Sequence, residues 1–515
     1  MCAGLGNNGT GVAVTAYSDD RRVVRRRRVV VAAAIAVVAA VLALVVARAF
    51  DGDESAAVLV PRAEPTTSDP LTYEESQAED LEQAAAFGLS HALYAKSPGG
   101  VFASAQRTDS FRPLVEHAAA DSGFDADVVE AIVFLESGGR PDVIAGDDPE
   151  GASGLTQILA ETAVNFLGMD VDLAESRKLT ARIAEAAQRG NTAEVERLRE
   201  ERQEVDARFD AAEALAGTVR YLTAAREQLG REDLAVVSYH MGIGNLTNVL
   251  RAYAGDADLP VPELVDQEDL SWVRVFFDTA PDRNGAAHEL LSRLGDDSPT
   301  YFWRVLAAKE IMRLYREDRD RLQELDLLHA AKASAEEALH PPSGTERFAD
   351  ATDLQRAWAD FHLQPLPDDP GRLGFAVDRR MGELATSLGQ PRELYRGLRA
   401  EALALLVYIG KRVKELSGAS FPLRVTSSVR DDAYQQLLRT GNPEATHGYS
   451  LHTTGFAFDI RRQYESGEQA QSFQFVLDDL TARNLIAWIR EPAAIHITVA
   501  KEAEALVPLT LAPRA

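Results

Sequence analysis

The sequence predicts a multidomain chain in which an N-terminal transmembrane helix precedes a mainly α domain and then an α+β domain. Three observations carry this expectation. An uninterrupted apolar run, VVVAAAIAVVAAVLALVVA (29–47), follows a basic cluster, RRVVRRRR (21–28). Residues 110–330 place apolar side chains at helical spacing almost throughout. From residue 351 a long amphipathic helix pattern gives way to short, strand-like runs. A chain of 515 residues has room for roughly two to four domains.

Nineteen apolar residues wound as a helix span about 28 Å, close to the hydrocarbon thickness of a bilayer. The basic tail 1–28 then stays in the cytoplasm, and everything beyond residue 50 lies outside. The expected location is therefore the cell membrane, spanned once. A cleaved signal peptide is the competing reading, because Ala47 and Ala49 end the run; Arg48 and the length of the run favour an uncleaved anchor. Residues 48–109 read as a juxtamembrane linker, rich at first in Asp, Glu, Pro, Ser and Thr. Net charge is −26 overall, +5 over residues 1–50 and therefore −31 beyond them. So acidic a surface excludes nucleic acid and anionic lipid as general partners. The one cysteine, Cys2, allows no internal disulfide.

Within 110–330, helices are expected at 111–121, 126–136, 154–167, 174–229 in pieces, 231–253 and 299–330. The stretch 175–208 is highly charged, with apolar residues at helical spacing around a Gly-Asn break at 190–191, and reads as a solvated helical hairpin inserted in the domain. Residues 331–350, containing HPPSGTERF (340–348), read as a second linker. The last segment, 351–515, has a helix pattern at 391–417 and strand-like runs at 421–428, 454–462 and 494–500.

Three stretches of the helical region carry chemistry: AIVFLESGGRPD (131–142), EGASGLTQILAETA (150–163) and LAVVSYHMGIGNL (234–246). Val128, Val129, Ile132, Val133 and Leu135 give a helix an apolar face, and Glu136 falls at its C-terminal end. Burial and the helix dipole both disfavour a charge there and push a carboxyl pKa upward. A carboxylic acid that keeps its proton near neutral pH can protonate a glycosidic oxygen. Judged alone, Glu136 reads rather as a surface residue ahead of a glycine C-cap. Glycosidases normally pair two carboxylates. Asp142, Asp147, Asp148 and Glu150 lie nearby in sequence, so a lysozyme-type hydrolase that uses one of them is an alternative.

In order and wording these stretches, with RFDAAEALAGTVRYL (208–222), resemble the soluble lytic transglycosylase family over about 110–253. The resemblance implies a lysozyme-like fold and Glu136 as the sole catalytic acid and base. The substrate's own N-acetyl or 6-hydroxyl group would complete the reaction, giving a 1,6-anhydro sugar from peptidoglycan. It also implies that Ser137 orients Glu136, that Gly154 and Gln157 line the saccharide groove, and that Tyr239 lies near the acid. His240 and Met241 stand where the family has Asn-Ala, so His240 is the candidate for the missing hydrogen bond.

A second constellation, YSLHTTGFAFDI (449–460), contains S-x-H-x-x-G-x-A-x-D, and IHIT (495–498) follows on another strand. His452, Asp459 and His496 make two histidines and one carboxylate, the ligand set of a catalytic zinc site with one open position. The bland alternative is a pair of core histidines and a turn-capping aspartate. His447 is a spare ligand or orients the loop. Glu491, five residues before His496, is a candidate general base. These residues, with RVTSSVRDDAYQQLL (424–438), resemble the zinc D-alanyl-D-alanine carboxypeptidase family over roughly 390–500. The resemblance implies zinc as cofactor, Arg430 stabilising charge on the scissile carbonyl, and Ser450 contacting substrate. The family ends in Glu-Pro-Trp-His; here Glu491-Pro492 is followed by Ala-Ala-Ile before His496.

Both constellations point at one polymer, its glycan strands and its stem peptides. The expected function is membrane-anchored, extracytoplasmic peptidoglycan remodelling by a transglycosylase domain and a zinc peptidase domain. The alternatives are a lysozyme-type hydrolase with an inactive wall-binding module, or a non-catalytic wall sensor or scaffold.

Overall fold

Capping residues set where the helices of the first half begin and end. Asp125 accepts a hydrogen bond from the Asp127 amide to open the helix Ala126–Ser137, and Gly138, in the left-handed region, closes it. Asp172, Asn191 and Asp210 open Leu173–Gln188, Thr192–Val205 and Ala211–Leu229 in the same way. These elements come from a computed structural model that describes residues 57–62, 69–441 and 448–514. By its internal contacts the chain divides after Ala57, and the residues from Val58 onward form one compact unit.

In the helical half, Ala126–Ser137 lies at the centre of one core. Val129, Ala131, Ile132 and Val133 are fully buried and join residues of Ala211–Leu229, Glu232–Met241 and Tyr301–Glu317. The second half has a five-stranded sheet in the order Phe375–Val377, Leu423–Ser427, Ala457–Arg461, Ala494–Val499, Ile486–Arg490. The first pair is parallel and the others antiparallel. Successive side chains of a strand point to opposite faces. Phe458, Ile460, Ile495, Ile497 and Val499 accordingly face the core formed with the helices Ala400–Ser417 and Gly467–Ala482. Asp459 and His496 face the other way, directly opposite each other in register.

Several expectations are corrected. The expected membrane span, 29–47, lies outside the described residues. Among the described residues no helix is long and apolar enough to cross a membrane. The two longest carry Glu213, Arg220, Arg226 and Glu227, or Glu401, Lys411, Arg412, Lys414 and Glu415, and so cannot lie in hydrocarbon. The fold class is thus a mostly helical, multidomain-like chain, 60% helix. With no such helix among the described residues, the expected single-pass membrane location and the membrane as a partner are corrected. Residues 78–109, expected as linker, form three helices that place Leu81, Leu93, Tyr94 and Val101 in the helical core. The expected helix 154–167 is only Ala160–Asn165, because Gly154 and Gln157 have φ of 84° and 53°, outside the right-handed helix. The helix expected at 391–417 starts at Ala400, after a short strand, Gly397–Leu398. Phe375–Val377 and Ile486–Arg490 are strands the sequence reading did not mark.

The segment 331–350 is no extended tether either. It buries Glu336, His340 and Phe348, and His340 Nε2 meets the Val499 carbonyl at 2.6 Å. Arg412 reaches across to Asp282 with two hydrogen bonds of 2.6 and 2.7 Å, a bidentate pair.

Candidate functional site

Glu136 sits in the last turn of Ala126–Ser137, half-buried, facing the start of Tyr301–Glu317. Tyr301 Oη donates to Glu136 Oε1 at 2.7 Å. Burial pushes the Glu136 carboxyl up to about 7; the Tyr301 hydrogen bond and the charge of Arg304 pull the other way and are outweighed. Glu130, on the same helix, makes the contrast. It is fully buried and held by Arg316 Nη1 at 2.6 Å and Arg112 Nη1 at 3.2 Å. Burial raises the Glu130 carboxyl too, but two guanidiniums engage it as a structural partner, whereas Glu136 meets a neutral phenol and can exchange its proton near neutral pH.

Tyr301 supplies the partner that His240-Met241 left open. It is 165 residues from Glu136 in sequence. His240 stacks on Tyr301 at 5.2 Å, but its Nδ1 bonds Ser298 Oγ at 2.8 Å. Tyr239 donates to the Thr156 carbonyl at 2.8 Å and shares a hydrogen bond with Thr218 Oγ1 at 3.1 Å. Burial and then the nearby Glu136 charge raise its pKa. Ser137 does not orient the acid directly: its Oγ donates to the Val133 carbonyl and accepts from the Arg140 amide, both at 3.2 Å. Aromatic rings run outward from Tyr301 through Tyr239 and Tyr221 to the exposed Phe166, with centroid spacings of 6.3, 5.3 and 5.7 Å.

The Tyr301 hydrogen bond favours the ionised form of Glu136. Tyr301→Phe should therefore raise the Glu136 pKa further, so that a titration of the carboxyl by NMR moves to higher pH. A shift to lower pH would contradict this assignment.

The loop carrying Gly154 and Gln157 is braced from behind. Arg208 is fully buried, pairs with Asp206 at 2.7 Å, and donates to the carbonyls of Pro149, Gly151 and Ile158 at 2.6, 3.1 and 3.2 Å. Gly154 lies so close to Arg208 that an added Cβ would fall 1.8 Å from its carbonyl oxygen, at a φ of 84°. Gln157 does not point to an open groove; its Nε2 staples the loop to the carbonyls of Val143 and Gly154 at 3.1 and 2.9 Å. Gly154→Ala combines an overpacking clash with left-handed strain, and should cost about 2–5 kcal/mol in a denaturant titration. A loss below about 1 kcal/mol would show that the loop yields easily.

The charged hairpin, read as a merely solvated insertion, grips this same loop. Arg177 bonds Asp148 at 2.9 Å and also pairs with Glu150, and Arg199 pairs with Asp142. Three of the four acids weighed as a second carboxylate are thus engaged by arginines.

The second site grows from the sheet. Antiparallel pairing sets Asp459 opposite His496, and the short turn Leu451–Thr454 adds His452. Their possible ligand atoms all lie within 4.8 Å of one another. His452 Nδ1 lies 2.7 Å from the Ser428 carbonyl, which can only accept, so this nitrogen carries a proton; Nε2 lies 3.2 Å from Asp459 Oδ1. His496 Nδ1 meets the same Asp459 oxygen at 2.9 Å.

Burial, and then Arg430, push His452 down to about 4. Burial opposes ionisation of Asp459, but its hydrogen bonds and charge interactions with the two histidines hold it well below the usual carboxylate range. Burial would also lower His496, yet Asp459 and Glu336 outweigh it and hold it up at about 10. A neutral imidazole, an ionised carboxylate and a proton that a cation can displace form a donor set that fits a zinc ion.

A cavity of about 280 Å³ opens on this cluster, lined by Glu336, Arg430, Ser450 and Glu491 among others. Arg430 donates to Ser427 Oγ, to Gln435 Oε1 at 3.0 Å and to Asp459 Oδ2 at 3.2 Å. Glu491 stands half-buried where the hairpin between Ile486–Arg490 and Ala494–Val499 turns, its amide donating to the Ala494 carbonyl at 3.0 Å. Pro492 and Ala493 complete the turn that leads into the strand carrying His496. The Ser450 carbonyl accepts from Thr453 Oγ1 at 2.7 Å and holds the His452 turn. His447 lies outside the described residues.

Three residues of these sites escaped the sequence reading. Tyr301 had a usable signal, since a tyrosine buried at a helix start needs a partner for its hydroxyl. Arg208 and Glu336 had none, because each lies in a run of charges. No family model matches the chain, and no curated protein matches it either.

Proposed function

We propose that this chain remodels peptidoglycan, cleaving the MurNAc–GlcNAc glycan bond without water and trimming stem peptides at a second, zinc-dependent site. The observation that carries the reading is the Glu136 carboxyl, raised to about 7 beside a neutral tyrosine, while Asp142, Asp148 and Glu150 are engaged by arginines. Glu136 gives its proton to the glycosidic oxygen as the bond to C1 breaks. The resulting carboxylate then takes the proton of the same sugar's 6-hydroxyl, whose oxygen closes onto C1. The product is a 1,6-anhydro sugar, and Glu136 ends protonated as it began. One acid in two roles suffices, which suits a site where three of the four neighbouring acids, Asp142, Asp148 and Glu150, are engaged by arginines. The exposed Phe166 and the half-buried Tyr221 and Tyr239 form a row of rings that ends at the buried Tyr301 beside Glu136.

In the second site, His452, Asp459 and His496 would hold zinc, which supplies Lewis-acid chemistry toward a peptide carbonyl. Arg430, fixed by Ser427, Gln435 and Asp459, presents its charge to the cavity for a developing oxyanion. Glu491 in the cavity wall is the residue to hold and move a proton. Because the acid must be protonated, glycan cleavage should fall as pH rises through about 7. Dye-release assays on purified cell wall between pH 5 and 9 test this, and a rate that rises across that window would contradict the acid role.

A further inference from the structure

We infer that Glu336, from the segment joining the two halves, is a positioning residue of the proposed zinc centre, so that the centre is complete only when that segment is docked. The inference rests on the reading of His452, Asp459 and His496 as metal ligands.

The two histidines have the same layout. Each turns one ring nitrogen inward, to Asp459 Oδ1, and the other outward, to an acceptor. For His452 the outer acceptor is the Ser428 carbonyl at 2.7 Å. For His496 the outer nitrogen, Nε2, lies 3.3 Å from Glu336 Oε2 and 3.3 Å from Thr498 Oγ1. A carboxylate can only accept, so Glu336 accepts from Nε2–H and aims Nδ1 at the cluster, where a bound cation would displace the Nδ1 proton. A metal-ligating histidine needs this arrangement, because its outer hydrogen bond fixes both tautomer and ring angle.

Glu336 is itself held rigidly. It is buried, its other oxygen pairs with Lys332 Nζ at 2.5 Å, and Ser334 Oγ donates to Oε2 at 3.3 Å. Lys332 in turn donates to the Tyr449 carbonyl at 2.7 Å, which ties the segment to the loop leading into His452. Burying a carboxylate in this way is costly unless it is paired. Lys332 and the two groups at the His496 side provide that pairing. The helix Glu336–Leu339 thus reaches the metal cluster from outside the sheet that carries its ligands.

The test is zinc affinity of the full chain, measured by competition with a chromophoric chelator, for the native protein, Glu336→Ala and Glu336→Gln. The native chain is expected to bind one zinc. Glu336→Ala should weaken zinc binding by about 10–100-fold. Glu336→Gln, whose amide oxygen can still accept from Nε2–H, should lose less and keeps the test valid if the alanine variant fails to fold. Selective ¹⁵N-histidine NMR of the zinc-loaded protein should place the His496 proton on Nε2. Equal zinc affinity of native and both variants, or a proton on Nδ1, overturns the role of Glu336 while leaving the metal centre standing. No zinc bound by the native chain overturns the metal reading, and this inference with it.

Discussion

Glu136→Gln should abolish glycan cleavage, lowering the rate by about 10²–10⁴-fold or more, without unfolding the protein. The amide keeps the shape of the side chain and still accepts from Tyr301, but cannot donate a proton to a leaving oxygen. Stability should move the opposite way. The folded pKa is raised from 4.5 to about 7, so the folded chain binds this proton more tightly than the unfolded one. The stabilising contribution of the protonated carboxyl is full below the unfolded value and is lost as pH rises through about 7. Glu136→Gln escapes that loss, so its Tm should equal the native value at pH 4 and exceed it at pH 8. Unchanged lytic activity would sink the assignment and leave a hydrolase that uses another carboxylate as the better reading. A lower Tm at pH 8 would mean that the carboxylate is stabilised in place.

His452→Ala should remove both zinc binding and stem-peptide trimming while leaving glycan cleavage intact. Loss of a direct ligand should weaken zinc binding beyond the about 10–100-fold typical of an outer partner. The two halves use separate residues, so products of the glycan reaction should be unchanged in kind. Metal content by plasma mass spectrometry and loss of terminal D-alanine by mass analysis read the two effects separately. If His452→Ala retains full peptide trimming, the cluster is a set of core histidines.

Sequence patterns carry farthest where a residue's role depends on its near neighbours. The helix ending in Glu136 is set by local apolar spacing, by Asp125 at one end and by Gly138 at the other. The alternation in the strands is equally local, and antiparallel pairing in register then sets Asp459 and His496 on one face. Partners from distant segments were illegible. Tyr301 and Glu336 act through single contacts across the fold, and no period or spacing encodes them. The loop around Gly154 was misread as helix because its shape is imposed by buried Arg208 rather than by its own apolar residues. Charge runs misled as well. The hairpin arginines and the 331–350 segment look solvent-facing in sequence, yet they bind the loop acids and reach the His452, Asp459 and His496 cluster.

The most direct test of the central claim is digestion of purified peptidoglycan by the full chain, with mass analysis of the released muropeptides. A one-carboxylate mechanism predicts products ending in 1,6-anhydroMurNAc, absent with Glu136→Gln. Products with free reducing ends, or wall material left intact by the native chain, would contradict it.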